Sequence, residues 1–435
     1  MTTAVIGGGL SGLVRARALA ARSDPVLLFE ESDHPGGVVR SENRDGYLLE
    51  LGPNTVRPTP ELWALVEELG LESEALLADP RTPRFIDFDR RLHPLPMSPG
   101  GLIGTKLLSA RGKLRLLAEP FVRRGNPSGE NVRDFFTRRL GPEIADRLVE
   151  PFVSGIWGGR ADRLSIAQAF PSLARWEAAS GSITRGAFAA MRGRPKTAPR
   201  GKRGLLSFRA GLSTFPRRLA DDLGPRGHFG RRVDSILRSG DGWQLSVSGG
   251  TVRADRVCVA TPAREAARLV ESFAPEAAAA LRAIPHAPLA VLHLAAAAPA
   301  RLEGFGHLVV PQPERRILGA IWSSGLFPGR APEGRSLFTV FLGGVRDPGA
   351  LELSDDALLA AAARDLAAVG LPGELKPIRV TRYLGAIPQY DLAHSDRIET
   401  LAETERRHPG LFFLGSYRGG VAVGDVVRSA LALPH

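Results

Sequence analysis

The sequence predicts a mixed α/β and α+β fold, with a discontinuous parallel-sheet domain, a mixed-sheet domain and a mainly helical insertion. Three observations lead to this prediction. The chain starts with a strand–glycine–helix pattern, residues 100–204 are mainly helical in character, and an apolar strand with a glycine-rich loop stands near its end. Because the first and last segments each combine an apolar strand with a glycine-rich turn or loop, we expect them to belong to one domain that two insertions interrupt.

The opening residues have the pattern of a nucleotide diphosphate site. Residues 3–6 are an apolar strand that runs into the glycine-rich turn GGGLSG and then a helix. Gly7 permits a tight turn, Gly9 lets the backbone approach a diphosphate, and Gly12 lets helix and strand pack closely. The amides of the helix N-terminus would face the phosphates. A purely structural glycine turn is the alternative.

A second apolar run, residues 25–29, ends at Glu30, where a carboxylate can accept hydrogen bonds from a ribose. The pair Gly36 and Gly37 follows, with Arg40 close behind. Near the end of the chain, the apolar residues 411–414 run into Gly415 and a glycine-rich loop that opens the last helix.

These segments resemble the flavoprotein family that contains amine oxidases, phytoene desaturases and protoporphyrinogen oxidases. The resemblance implies FAD, bound non-covalently because the C-terminal loop has no Cys or His. It implies that Gly36, Gly37 and Arg40 continue along the diphosphate. It also implies a cofactor contact at Val233 and a cap on the flavin ring. The residues of that cap would be Gly415, Val421, Ala422 and Val423.

Two features that the sequence lacks limit the redox chemistry that we expect. The sequence has no second GxGxxG, and Cys258 is its only cysteine, so neither a separate NAD(P)H site nor a redox-active cysteine pair is expected. An FAD enzyme of this kind passes its electrons to O2, a quinone or another external acceptor. No Ser-His-Asp grouping or metal cluster is evident, which agrees with chemistry carried by a flavin.

The resemblance also divides the chain. We expect residues 1–80, 205–263 and 405–435 to form a Rossmann-like FAD-binding domain. Residues 81–99 and 264–404 would form a mixed-sheet substrate-binding domain. Residues 100–204 would form a helical domain, with breaks at Pro127, Pro151, Pro171 and Pro195.

Several further stretches resemble the protoporphyrinogen oxidase branch of the family. They are Gly52–Thr55, Glu150–Trp157, Leu164–Ser165 with Ala169–Pro171, Gly304–Val309, Leu318–Ile321, Ile387–Tyr390 and Tyr417–Asp425. This resemblance implies a six-electron oxidation of protoporphyrinogen IX to protoporphyrin IX in heme biosynthesis, with O2 as acceptor and release of three H2O2. Coproporphyrinogen III is the alternative substrate.

The same resemblance implies the substrate site. Arg84 would pair with a propionate, Phe305 and Leu308 would clamp the macrocycle, and Phe341 and Ile387 would line the slot. Gly155 would lie at the reacting centre, with its carbonyl directed at the substrate. His307 is tempting as a base, but we expect it to face away. A flavin amine oxidase and an FAD-containing porphyrin carrier remain alternatives, although the basic charge disfavours cationic amine substrates.

The net charge is +11 and is carried mainly by arginine. Basic residues alternate with large aliphatic residues over Leu102–Arg124, and residues 178–220 contain no Asp or Glu. This composition suits an anionic membrane surface or an electropositive funnel, and a solvated basic face is the alternative. No nucleic-acid motif accompanies it. We therefore expect a cytoplasmic protein that lies peripherally on the inner face of the cell membrane and hands product to the next enzyme.

Overall fold

The structure is a computed structural model that describes residues 1–193, 201–297 and 303–434. The strands are β1 (Thr3–Ile6), β2 (Val26–Phe29), β3 (Ser41–Arg44), β4 (Tyr47–Glu50), β5 (Ala75–Leu77), β6 (Arg84–Phe88), β7 (Arg91–Pro94), β8 (Leu206–Phe208), β9 (Gly227–His228), β10 (Val233–Ser239), β11 (Gly242–Val247), β12 (Gly250–Ala254), β13 (Arg256–Val259), β14 (His286–Ala296), β15 (Gly306–Val309), β16 (Ile317–Ile321), β17 (Ser336–Gly343), β18 (Leu375–Pro388) and β19 (Leu411–Phe413). The helices are α1 (Leu10–Ala20), α2 (Pro60–Glu68), α3 (Pro99–Gly104), α4 (Ala110–Leu117), α5 (Val132–Leu140), α6 (Pro142–Ile144), α7 (Glu150–Trp157), α8 (Ile166–Ala169), α9 (Pro171–Ser180), α10 (Ile183–Gly193), α11 (Thr214–Leu223), α12 (Ala263–Val270), α13 (Pro275–Arg282), α14 (Ser323–Leu326), α15 (Asp355–Ala367), α16 (His394–Arg407) and α17 (Val423–Ala432).

A parallel sheet of order β19-β13-β1-β2-β9 joins the two ends of the chain. Ile6 pairs with Val259, which in turn pairs with Phe413. The strands are almost wholly apolar because helices cover one face and further helices with the sheet β10-β11-β12 cover the other. The α/β and α+β class, with this Rossmann-like part built from both ends, is therefore confirmed.

A mixed sheet of order β18-β14-β17-β16-β15-β6-β7 forms the second layer. Its strand β14 is hydrogen-bonded to β17 and β18 and is buried along most of its length. One face of the sheet packs on α15, and the other faces the helical segment. None of the described helices is long and apolar enough to cross a membrane.

The helical segment α3–α10 departs from the sequence prediction at one proline. A break was expected at Pro151, but α6, a π-helical turn (Ala145–Val149) and α7 follow each other without an intervening loop. Pro151 comes just after the π-helical turn, whose altered hydrogen-bond spacing accommodates a residue without an N–H inside a continuous helical run. Pro127 and Pro171 do begin new helical turns, and Pro195 lies outside the described residues.

The residues that follow the predicted boundary at residue 264 pack against the parallel sheet. Helices α12 and α13 place their apolar residues in the core that covers the parallel sheet, together with Ile284. Leu401 of α16 lies in the same core. We therefore propose that the boundary between the part with the parallel sheet and the part with the mixed sheet lies near residue 285, since residues 263–284 pack against the parallel sheet.

Candidate active site

The glycine-rich turn has the geometry that a diphosphate requires. Gly7 adopts a φ of +108°, and a Cβ there would lie 2.8 Å from the carbonyl oxygen of Ala260. A Cβ on Gly12 would lie 1.9 Å from the carbonyl oxygen of Gly7, so α1 packs directly onto the turn. A Cβ on Gly9, by contrast, would meet nothing within 4 Å. The side of Gly9 is thus open to a ligand at the N-terminus of α1.

Gly36 and Gly37 lie beside this open side. Gly36 donates from its amide to the carbonyl of Gly8 at 2.8 Å and forms a parallel bridge with Gly9. A Cβ on Gly37 would lie 3.2 Å from the Cα of Gly9. The two glycine segments therefore form one cradle. The exposed Arg40 lies beyond it, and no ion pair of its side chain is present within the described ranges.

Glu30 directly follows β2 and lies next to the same turn. Its carboxylate accepts hydrogen bonds from the amide of Gly8 at 2.5 Å and from the amide and hydroxyl of Ser32 at 2.9 and 2.5 Å. The sequence did not show this second role, in which Glu30 holds the glycine turn in place. A carboxylate has acceptor capacity beyond these bonds, so contact with a ribose remains compatible with it.

Val233 begins β10, two residues after Arg231, whose amide donates to the carbonyl of Glu30 at 2.7 Å. Its side chain is buried in the core beneath the parallel sheet, and its carbonyl accepts a hydrogen bond from Arg268 at 3.2 Å. A role of Val233 in cofactor binding stays a prediction, and its side chain packs in the core.

The C-terminal loop brings the last helix to the site. Gly415 follows β19, and a Cβ there would lie 2.6 Å from the ring of Tyr417. Val421 packs against the core of the helical segment, as Ile387 does. Ala422 and Val423 then start α17, whose N-cap has no side-chain hydrogen bond. The first amides of α17 are therefore available to a ligand.

A row of residues crosses the mixed sheet on the face toward the helical segment. Leu308 of β15 pairs with Gly319 of β16, which pairs with Phe341 of β17. Paired residues project to the same face, so Leu308 and Phe341 flank a position without a side chain. A Cβ on Gly155 of α7 would lie 2.2 Å from Cδ2 of Leu308. The structure thus brings Gly155, Leu308 and Phe341 together.

Arg84 and Phe305 form the neighbouring part of the site. The guanidinium of Arg84 lies 5.4 Å from the centre of the Phe305 ring, and Arg84 pairs with Gly306 in the adjacent strand. Burial, and secondarily the charge of Arg57, holds the pKa of Arg84 below its usual value. Arg84 remains cationic, because an arginine does not lose its proton in a protein. No ion pair of Arg84 is present within the described part of the chain.

His307 faces away from this row, as expected. Successive residues of a strand project to opposite faces, and His307 packs against Trp322 on the other side. Burial lowers the pKa of His307 to about 4, so the ring is neutral.

Two residues of the candidate site were not predicted from the sequence. Gly319 stands inside the motif Leu318–Ile321, which was recognised without a role, and Arg57 follows the motif Gly52–Thr55. Only the strand pairing shows that Gly319 separates Leu308 from Phe341, because no sequence pattern gives the register between strands.

A cleft of about 450 Å³ is lined by Ser154 of α7, by the start of β16 and by the segment that precedes β16. Its three arginines, Arg315, Arg316 and Arg346, are paired with Asp87, Asp347 and Glu150. Because its charges are already neutralised, we assign this cleft neither to the cofactor nor to the substrate.

Comparison with known proteins agrees with this geometry. The profile of the family described as flavin containing amine oxidoreductase matches residues 10–432. The chain belongs to this family. It is therefore a flavin-dependent oxidoreductase.

The relatives are similar over almost the whole chain. Human protoporphyrinogen oxidase is 34% identical, and the match covers 98% of this chain and 96% of that protein. The chloroplastic protoporphyrinogen oxidase of Oryza sativa is 33% identical over 98% of this chain and 86% of that protein. The coproporphyrinogen III oxidase of Bacillus subtilis is 28% identical over 98% and 96%.

Solved structures support the fold. An Exiguobacterium structure provisionally described as a protoporphyrinogen oxidase has a TM-score of 0.79 at 24% identity, and covers 99% of this chain and 97% of its own. The cyclohexylamine oxidase of Brevibacterium oxydans has a TM-score of 0.71 at 17% identity, over 99% and 97%.

Proposed function

We propose that this protein oxidises protoporphyrinogen IX to protoporphyrin IX, with non-covalent FAD as cofactor and O2 as electron acceptor. The observation that carries the proposal is the grouping of Arg84 and Phe305 with Leu308, Gly155 and Phe341 on one side of the mixed sheet. A half-buried cation beside an apolar slot fits a flat macrocycle that bears carboxylates.

The residues divide the work between binding and orientation. Arg84 binds a propionate, and its position over Phe305 fixes the direction of the guanidinium. Leu308 and Phe341 hold the faces of the macrocycle, and Ile387 closes the slot near α7. The carbonyl of Gly155 accepts a hydrogen bond from a pyrrole N–H and so orients the macrocycle.

The cofactor residues fit FAD. The cradle of Gly9, Gly36 and Gly37 takes the diphosphate, Glu30 takes a ribose, and the loop from Gly415 to Val423 covers the flavin ring. When bound, the flavin supplies the hydride acceptor that no side chain of the protein can replace. The amides at the start of α17 stabilise negative charge at that place.

Coproporphyrinogen III is the second candidate substrate. Two observations favour it: the similarity to the Bacillus subtilis enzyme, and the second cation, Arg57, close enough to affect the pKa of Arg84. A substrate with two additional carboxylates would benefit from a second cation.

An anaerobic titration of the yellow holoenzyme with each porphyrinogen tests the proposal. We expect protoporphyrinogen to bleach the flavin absorbance, with H2O2 formed when O2 is admitted. Bleaching by coproporphyrinogen alone would identify coproporphyrinogen III as the substrate instead. Bleaching by polyamines instead would favour an amine oxidase, and no bleaching by any of them would favour a carrier.

We also propose that the protein docks on the anionic inner face of the cell membrane through the segment 102–124, from which product could pass to the next enzyme. Four large apolar side chains of this segment are more than 60% exposed: Ile103, Leu114, Leu117 and Phe121. Lys106, Arg111, Arg123 and Arg124 are exposed as well. Apolar side chains with adjacent basic residues are typical of peripheral membrane contact.

A further inference from the structure

The residues Gln389 and Tyr390 lie where three parts of the molecule meet. They follow β18 directly, and the amide of Gln389 donates to the carbonyl of Pro285 at 2.8 Å. The carbonyl of Tyr390 accepts a hydrogen bond from the amide of Ser165 at 2.8 Å, just before α8. Both side chains are almost fully buried, with 4% and 3% of each residue exposed.

The side chain of Gln389 binds the end of α7. Its Nε2 donates to the carbonyl of Trp157 at 2.7 Å and to that of Ile387 at 3.1 Å. A Cβ on Gly159 would lie 2.4 Å from Oε1 of Gln389, so the chain after α7 needs a glycine to admit this side chain. The carboxamide therefore fixes the last turn of the helix that carries Gly155.

The side chain of Tyr390 binds the C-terminal loop. Its hydroxyl donates to the carbonyl of Ser416 and accepts from the amide of Gly420 at 2.9 Å, so it bridges the two sides of this loop. The ring stacks on His394 at 4.0 Å between centroids and contacts the Trp157 ring edge-on at 5.1 Å. Burial raises the pKa of Tyr390 well above its usual value, so the hydroxyl keeps its proton and remains a donor.

Apolar contacts alone would not fix the distance between these segments. Val421 and Trp157 pack in one apolar cluster, but apolar packing is not directional. Hydrogen bonds to backbone groups are directional, and two buried polar side chains are costly unless such bonds are made.

We propose that Gln389 and Tyr390 are positioning residues that clamp the loop 415–423 at a fixed separation from α7. This inference rests on the proposed function only in its consequence, which is that the clamp sets where the flavin ring lies relative to Gly155. Neither side chain needs to touch the substrate.

The variant Tyr390→Phe tests the clamp, since it removes the hydroxyl and keeps the ring. We expect a shifted flavin absorbance spectrum and reduction potential, and a kcat lower by about fivefold to tenfold at nearly unchanged KM. In apoprotein and holoenzyme alike, the amide of Gly420 should exchange its hydrogen faster. Tyr47→Phe, which alters another buried tyrosine, is the control and should change none of these.

Gln389→Met is the second variant, in case Tyr390→Phe fails to fold, and should show the same spectral shift. An unchanged spectrum, potential and Gly420 exchange rate in both variants would overturn the clamp. If the wild-type holoenzyme fails to oxidise either porphyrinogen, the proposed function is wrong, and the spectral and exchange measurements still decide on the clamp.

Discussion

Arg84 is a half-buried cation whose guanidinium has no ion pair within the described residues. It lies over the ring of Phe305 and beside the charge of Arg57. Burial and the like charge of Arg57 oppose a cation here in the free protein, and the ring of Phe305 offsets only part of this cost. We infer that the cation is retained for an anionic group of the substrate.

The variant Arg84→Ala should therefore lower kcat/KM mainly through KM. The loss of a hydrogen bond to a charged group corresponds to about 1.5–3 kcal/mol, or roughly 10- to 150-fold. Arg84→Lys should recover only part of this, since the fork geometry is lost. Arg91→Ala, at an exposed arginine of β7, is the control. Steady-state kinetics that are the same for all variants would place Arg84 outside the site.

Gly9→Asp should abolish flavin binding while leaving the apoprotein folded. A Cβ at Gly9 would meet no protein atom within 4 Å, so an Asp side chain would extend into the space that we assign to the diphosphate and add a like charge. Gly349→Asp provides the control, because Gly349 is equally open and distant in the sequence from the glycine turn. Flavin content per protein and the Tm of the apoprotein are the measurements. A normal flavin content in Gly9→Asp would contradict the assignment of the turn.

At the scale of elements, we expect the contact between α7 and β15 to set the width of the proposed substrate slot. Gly155 permits this contact, since a Cβ there would lie 2.2 Å from Leu308. Gly155→Ala should therefore displace Leu308 or α7 and lower kcat/KM by about tenfold to hundredfold. The pair Gly155→Ala with Leu308→Ala should lose less than the sum of the single variants, because the smaller side chain makes room. Strict additivity in kinetics would show that the two residues do not share a contact.

The helical segment is fixed by a buried ion-pair cluster. Arg139 of α5 binds Glu119 and Glu177 and donates to the carbonyl of Gly181 at 2.9 Å, and all three charged side chains are fully buried. Arg139→Met should lower the free energy of unfolding by about 3–5 kcal/mol, because two buried carboxylates lose a partner. Arg133→Met on the same helix breaks only an exposed pair with Asp146 and should cost about 0–1 kcal/mol. Urea unfolding measures both, and equal effects would contradict the importance of burial.

The same cluster predicts a dependence on pH. Burial alone would raise the pKa of Glu119, but hydrogen bonds from residues 182–184 and from Arg139 outweigh it and hold the pKa below its usual value of 4.5. A lowered pKa in the folded state stabilises the protein above pH 4.5, and this stabilisation disappears as the pH falls through the folded-state value. The Tm of the wild type should therefore fall below pH 4.5. Glu119→Gln should have a lower Tm at neutral pH and a weaker dependence on acid.

At the scale of the whole molecule, the surface of segment 102–124 predicts membrane binding. The protein should co-sediment with anionic vesicles at low salt and be released by high salt, because each basic residue near the surface adds about 1 kcal/mol. Replacing Lys106, Arg111, Arg123 and Arg124 by Gln should weaken binding and leave turnover in detergent intact. The control replaces four exposed basic residues elsewhere by Gln: Arg226, Arg253, Arg264 and Lys376. Equal loss in both variants would indicate non-specific charge attraction.

The structure changes which residues of that segment belong to its surface. Leu107 and Leu108 are buried, and Arg115 donates to the carbonyls of Arg138 and Arg139 at the end of α5. The sequence pattern identifies the basic and apolar residues of this segment, but it does not show which of their side chains are buried against the rest of the protein.

The local features of this protein were predictable from the sequence alone. The turn from Gly7 to Gly12 was predicted from residues close in the chain, and helix α2 and the hairpin of β6 and β7 likewise depend on short-range patterns in the sequence. Steric limits, capping and alternation act over such short distances. Helix α2 does begin with Thr59 as its N-cap, and Gly70 follows its end with a φ of +67°.

Only the tertiary structure decided how distant segments share the site. The register of three strands places Leu308, Gly319 and Phe341 in one row. Tyr390 reaches a loop that lies 26–30 residues further along the chain. The packing of α12 and α13 on the parallel sheet supports our proposed domain boundary near residue 285, and the helical run continues through Pro151 without a break. These arrangements depend on which apolar faces cover each other in three dimensions, and the periodicity of a single segment carries no information about its partner.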